Sequence, residues 1–218
     1  MADRCLLYYI TDRSQFLGDE RARRRALLAK VAEAARAGVD YIQLREKDLS
    51  TRELEILARE VVAAVRENSP STRLLINSRT DVALAAGADG VHLRADDVSP
   101  YEARQVVEFS ARRPTRPDHF IVATSCHTVA DVFRTESEKA DLAVFAPVFG
   151  KRGAAGTSSA GLAALREGCR AKIPVLALGG VTMENVASCL EAGAAGVAGI
   201  RLFQENKIGD VVRALRAH

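Results

Sequence analysis

Gln43, Arg45 and Lys47 alternate with Leu44 and Glu46, so an extended backbone carries one amide and two cations on the same side. Polar groups that continue an apolar run are costly unless they have a partner. An anion is the natural one, with Arg45 suited to a forked contact and Lys47 to a point charge. The alternative is salt bridging with Glu46, Asp48 or Asp12. A second anion-binding pattern stands far down the chain, in Leu178-Gly179-Gly180-Val181 and in Gly199-Ile200-Arg201. Glycine turns that run into helices expose backbone N–H groups, which bind phosphate. The alternative there is glycines that only end strands. Two anion pockets facing one space suit the joining or rearranging of phosphorylated small molecules.

Asp96 and Asp97 are the clustered carboxylates of the chain near a strand end. With Asn77 opposite they could hold Mg²⁺ already bound to a diphosphate, although helix capping or surface roles are equally open. His92 and His127 could serve as acid, base or donor near neutral pH, or simply pack. No lysine lies within a strand interior, which argues against Schiff-base aldolase chemistry.

These residues fall at the ends of short apolar runs that alternate with longer amphipathic ones. Strands are expected at Leu6–Thr11, Tyr41–Arg45, Arg73–Asn77, Gly90–Leu93, Phe120–Ser125, Leu142–Val148, Pro174–Leu178 and Gly196–Ile200. Helices are expected at Asp19–Ala37, Ser50–Glu67, Asp81–Ala86, Pro100–Ser110, Thr128–Glu138, Ala160–Arg170, Thr182–Ala192 and Ile208–Ala217. Runs that are apolar on both faces suit parallel strands covered by helices. Ser50 followed by Glu53 forms a capping-box pattern. Ala37-Gly38, Ala86-Gly87 and Ala192-Gly193 each offer a glycine for the left-handed residue that ends a helix. Eight such units in one domain spanning 1–218 match a (β/α)8 TIM barrel, whose active site lies at the C-terminal ends of the strands. A doubly wound sheet is the runner-up, but the first strand-to-helix turn, Thr11-Asp12-Arg13-Ser14, lacks its glycine fingerprint.

Length and composition agree. The chain has 218 residues, 48% hydrophobic and 27% charged, enough to bury a large core and too ordinary for a disordered or fibrous protein. With 31 basic against 28 acidic residues the formal net charge is +3, which makes no case for a nucleic-acid partner. The dense run Arg21–Arg25 reads as a solvated helix face. No apolar run reaches the roughly 20 residues of a membrane span, and Cys5–Ile10 reads as a first strand, not a secretion signal. Cysteines 5, 126, 169 and 189 stand apart, as expected of reduced thiols in a cytoplasmic protein.

Gln43-Leu-Arg-Glu-Lys47, Asn77-Ser-Arg79 with Asp81, Ala86-Gly-Ala-Asp-Gly-Val-His92-Leu, Ala146-Pro-Val-Phe149 and Gly179-Gly-Val181 together resemble the thiamine-phosphate synthase family, from Tyr8 to about Phe203. The resemblance implies a Mg²⁺-dependent transfer. A hydroxymethylpyrimidine diphosphate loses pyrophosphate, and the nitrogen of a phosphorylated thiazole captures the pyrimidine cation. Carried over by position, Gln43, Arg45, Lys47 and Asn77 hold the diphosphate and Asp97 holds Mg²⁺. Tyr8, His92 and Ser125 line the pyrimidine side, while Gly180, Ile200 and Arg201 take the thiazole phosphate. The residues expected to act in the chemical step are Arg45, Lys47, Lys151 and Ser125. A homodimer is compatible with the resemblance.

The chain departs from the family pattern at three points. Ser78 stands where the family has an aspartate, and Ala154 stands where a loop lysine grips the leaving group, with Lys151 and Arg152 as the nearby cations. Ile200-Arg201 replaces a Val-Ser phrase. Two other readings therefore remain beside the synthase: a thiazole tautomerase of the same superfamily, or a non-catalytic protein that binds thiamine precursors. The tautomerases have a histidine where this chain has Pro147.

Overall fold

The apolar runs pair in chain order, and the last returns to the first. In a computed structural model that describes residues 4–110, 119–150 and 159–217, eight parallel strands close into a barrel. They are β1 (Leu6–Ile10), β2 (Tyr41–Leu44), β3 (Arg73–Asn77), β4 (Gly90–Leu93), β5 (Ile121–Cys126), β6 (Leu142–Phe145), β7 (Val175–Ala177) and β8 (Gly196–Gly199). Outside them lie α1 (Glu20–Ala37), α2 (Thr51–Asn68), α3 (Thr80–Ala86), α4 (Pro100–Phe109), α5 (Val129–Ser137), α6 (Gly161–Gly168) and α7 (Val186–Glu191), then α8 (Arg201–Gln204) and α9 (Ile208–Arg216). This is the (β/α)8 barrel that the repeat count implies.

Local chemistry sets the helix ends. Ser50 and Glu53 exchange side-chain and backbone hydrogen bonds as a capping box, and Ser99 with Glu102 and Thr128 with Asp131 do the same. Each satisfies donors that a helix start leaves open. Gly38 and Gly87 close α1 and α3 in the left-handed conformation, at φ 82° and 72°.

Alternation along the strands divides the core in two. Tyr8, Ile10, Leu75, Ala123, Val144, Leu176 and Ala198 fill the barrel interior. Leu7, Tyr9, Ile42, Leu74, Ile76, Val91 and Phe145 face the helices. The interior positions continue upward into polar residues, so the face that packs the barrel also lines its mouth. Register then brings strand ends together, with Ile10 beside Gln43 and Asn77 beside His92.

Two boundaries move by three residues or more from the sequence expectation, and one element is added. β6 stops at Phe145 because Pro147, reached through a cis Ala146–Pro147 peptide, has no N–H to give a ladder. α7 begins at Val186, not Thr182: the Asn185 side chain accepts from the Thr182 amide at 2.8 Å and donates to the Gly180 carbonyl at 2.9 Å. That local turn competes with helix. α8 is an added element, four residues long, placed directly after β8. Among the described residues no helix is long and apolar enough to cross a membrane.

Candidate active site

The carboxylates around Arg45 and Lys47 do not neutralise them, because each is occupied elsewhere. Glu46 is buried on the opposite side of the chain. It accepts from the Thr11 hydroxyl at 2.6 Å, from the Arg13 amide at 3.0 Å and from the Arg13 guanidinium at 3.1 Å. Asp48 takes the same guanidinium through both oxygens, at 2.7 and 2.9 Å, and Arg13 beside it holds its carboxyl below the usual range. Asp12 accepts from Ser14 and Gln15 within its own turn.

Among the described residues neither the Arg45 nor the Lys47 side chain makes an ion pair or hydrogen bond. Arg45 is half-buried, its amide held by the Thr11 hydroxyl at 3.0 Å, and its charge is felt at His92. Lys47 lies beyond the strand, on an exposed turn. Gln43 is buried and donates to Asn77 Oδ1 at 3.2 Å, and Asn77 donates to the Ser78 hydroxyl at 3.1 Å. Ser78 sits at φ 60°, a left-handed position that Asn and Asp occupy more readily than serine.

Across the mouth, Tyr8, His92 and Ser125 form one chain. The Tyr8 hydroxyl lies 2.7 Å from His92 Nδ1, and His92 Nε2 lies 2.8 Å from Ser125 Oγ. Tyr8 is fully buried and His92 is 3% exposed. Burial first, then the nearby Arg45 charge, lowers the His92 pKa to about 3 against a smaller opposing pull from Asp97. The imidazole is therefore neutral near pH 7.

Its effect on stability has a definite sign. The unfolded chain takes up a proton at His92 near pH 6.5 and the folded chain does so only near 3. Stability is lost as pH falls through that window, approaching ~1.4 kcal/mol per pH unit. A His92→Asn variant is expected to show a flatter melting-temperature profile between pH 6.5 and 3; an unchanged slope would remove His92 as the cause.

Asp97 lies in the turn after β4, its side chain 13% exposed. The Arg94 amide donates to one oxygen at 2.7 Å, and the Arg94 guanidinium approaches the other at 3.3 Å. The sequence reading does not single out Arg94, although its place three residues before Asp97 is the signal of a turn contact. Asp96 is 75% exposed and turns to Arg94 instead of the mouth. Asp97 and Ser125 line one cleft of about 330 Å³ between the β4 turn and α5. Among the described residues no three His, Cys, Asp or Glu side chains converge on a cation position. This donor set does not make a protein cage; it fits an ion carried in by a diphosphate, the usual condition of Mg²⁺.

On the far side, Gly179 and Gly180 have φ of 95° and 64°. The Gly179 carbonyl accepts from Phe149 at 3.0 Å and Leu178 accepts from Val148 at 2.9 Å, so these glycines seat the turn after β6 as well as ending β7. A methyl on Gly179 would stand 2.8 Å from Pro147 Cα. Gly179→Ala should therefore cost at least the ~1–2 kcal/mol of a left-handed alanine, plus the clash. A melting temperature within error of wild type would contradict this packing.

Ile200 packs against the barrel interior, and Arg201 is exposed at the start of α8. His127 donates from Nδ1 to the Ala146 carbonyl at 2.7 Å, a contact that supports the β6 turn. Lys151, with Arg152 and Ala154, lies outside the described residues. Gln43, Arg45, Asn77, Tyr8, His92, Ser125, Gly180 and Ile200 thus gather at one end of the barrel, with Asp97 on its rim and Lys47 and Arg201 exposed.

Comparison with known proteins gives the family. The family model described as thiamine monophosphate synthase matches residues 7–203. The thiamine-phosphate synthase of Methanoculleus marisnigri is 39% identical over 216 residues, covering 97% of this chain and 92% of that protein. The thiamine-phosphate synthase of Syntrophomonas wolfei is 36% identical over 215 residues, 96% of this chain and 94% of that one. Among solved structures, the thiamine phosphate pyrophosphorylase of Pyrococcus furiosus matches with a TM-score of 0.78 at 28% identity, over 99% of this chain and 95% of that one. The chain belongs to the thiamine monophosphate synthase family.

Proposed function

We propose that this chain is a thiamine-phosphate synthase, a transferase of thiamine biosynthesis that joins hydroxymethylpyrimidine diphosphate to thiazole phosphate. The bond from the pyrimidine methylene carbon to the diphosphate oxygen breaks, and its electron pair leaves with pyrophosphate. The thiazole nitrogen then forms the new carbon–nitrogen bond. The observation that carries this reading is Arg45, half-buried at the barrel mouth with Lys47 on the exposed turn beyond it, both without an ion-pair partner among the described residues because Glu46, Asp48 and Asp12 are engaged elsewhere. Fixed cations aimed at the leaving group stabilise charge where it develops.

Gln43 and Asn77 hold the same diphosphate, Tyr8, His92 and Ser125 border the pyrimidine, and Gly180, Ile200 and Arg201 border the thiazole phosphate. Asp97 would hold Mg²⁺ together with substrate oxygens. The ion, when bound, supplies Lewis-acid neutralisation of the diphosphate. We assign the reaction to the cytoplasm, supported by four cysteines that are all free thiols.

A second reading, thiazole tautomerase, is favoured by one observation: Ser78 brings a hydroxyl, already bonded to Asn77, where the synthase pattern has a carboxylate. Purified protein with both phosphorylated precursors and Mg²⁺ separates the two. Thiamine phosphate and pyrophosphate formed above a no-enzyme control, and abolished by EDTA, are the expected result. No product, with thiazole phosphate still bound by calorimetry, would leave the tautomerase or a precursor-binding protein.

A further inference from the structure

The hydrogen-bond chain Tyr8–His92–Ser125 has a direction, and the direction is set at its buried end. A neutral imidazole carries one N–H, and each hydroxyl carries one proton. Two arrangements satisfy the 2.7 and 2.8 Å contacts. In one, the Tyr8 O–H donates to Nδ1, Nε2–H donates to Ser125, and the serine proton points into the mouth. In the other, Ser125 donates to Nε2, Nδ1–H donates to the Tyr8 oxygen, and the tyrosine proton needs a further acceptor. Tyr8 is fully buried and packs with Ile10, Leu75, Ala123, Val144 and Ala198, and His92 is the one hydrogen-bond partner of its hydroxyl among the described residues. The second arrangement would strand a buried O–H and carry its full desolvation penalty.

From this geometry we infer that Tyr8 is a positioning residue: through His92 it makes Ser125 an obligate hydrogen-bond donor, so the site selects an aromatic ring that offers an unprotonated ring nitrogen there. The inference rests on the synthase reading for the identity of that ring, an aminopyrimidine, but the polarity of the relay does not. A neutral donor also orients the ring without setting a full positive charge against the pyrimidine cation that forms as pyrophosphate leaves. A protonated His92 would oppose that cation, and burial keeps the ring neutral.

The test starts on the protein alone. In ¹⁵N-histidine-labelled enzyme, His92 should show a protonated Nε2 and a bare Nδ1, and Tyr8→Phe should shift it toward the other tautomer. A protonated Nδ1 in wild type, or a tautomer unchanged by Tyr8→Phe, overturns the inference. The second measurement compares hydroxymethylpyrimidine diphosphate with analogues in which one ring nitrogen is replaced by C–H. Wild type should prefer the parent over one of them by about tenfold, and both Tyr8→Phe and Ser125→Ala should reduce that preference to near unity. Binding of inorganic pyrophosphate by each variant reports that its diphosphate site is still folded. No preference in wild type, or one untouched by the variants, overturns the selectivity. The product assay then tells whether the synthase reading fails with it: thiamine phosphate still formed leaves that reading standing.

Discussion

Arg45→Ala is expected to lower kcat/KM for the diphosphate substrate by roughly 10- to 150-fold, the range for a lost charge-assisted hydrogen bond of ~1.5–3 kcal/mol. The size follows from the setting. Arg45 is half-buried beside a fully enclosed histidine, so its charge is weakly screened and no neighbouring carboxylate takes over its partner. Arg45→Lys should recover only part of the loss, because an ammonium cannot make the forked contact. Lys47→Ala should cost less, since its exposed ammonium is better screened by water. Removing Arg45 also removes one of the influences that hold the His92 pKa down, so that pKa should rise in the variant. Pyrophosphate inhibition constants and a pH profile read both effects. Unchanged affinity for pyrophosphate would take Arg45 out of the leaving-group site.

Asp97→Asn is expected to reduce Mg²⁺-dependent turnover by about two powers of ten and to raise the Mg²⁺ concentration needed for half-maximal rate, since metal assistance contributes several kcal/mol. The variant keeps the shape of the side chain and an oxygen for the Arg94 amide while removing the charge. Ser78→Asp should act the other way, tightening the Mg²⁺ requirement and raising kcat. Its backbone already stands at φ 60°, which aspartate tolerates better than serine, so the fold should accept the change. Titration of rate against Mg²⁺ for the two variants and their combination is the decisive measurement. An Asp97→Asn enzyme with wild-type Mg²⁺ dependence would show that this carboxylate does not serve the ion.

Much of the site was legible because parity along a strand is a local property. Gln43 and Arg45 share a side in any extended chain, and at the end of β2 that side proves to be the barrel mouth. Helix ends were equally readable: Ser50 with Glu53 caps α2 as its spacing requires, and Gly38 and Gly87 are left-handed where the Ala-Gly phrases fall. The limits came where side chains compete. Asn185 reaches back to Thr182 and Gly180 and delays α7 by four residues, a contest between turn and helix that amphipathic pattern does not register.

By itself the sequence determined the repeat, the strand and helix types, the closed parallel barrel they imply and the family to which the chain belongs. Only the tertiary structure decided which charges are free and which way a proton points. Glu46 could not be told from a partner of Lys47 until Arg13 and Thr11, more than thirty positions away, were seen to bind it. His92 acquired its role only by lying between Tyr8, 84 residues before it, and Ser125, 33 residues after it. The physical reason is range. Periodicity and capping act within one or two helical turns, whereas desolvation and hydrogen-bond partnering depend on every strand that closes around the site.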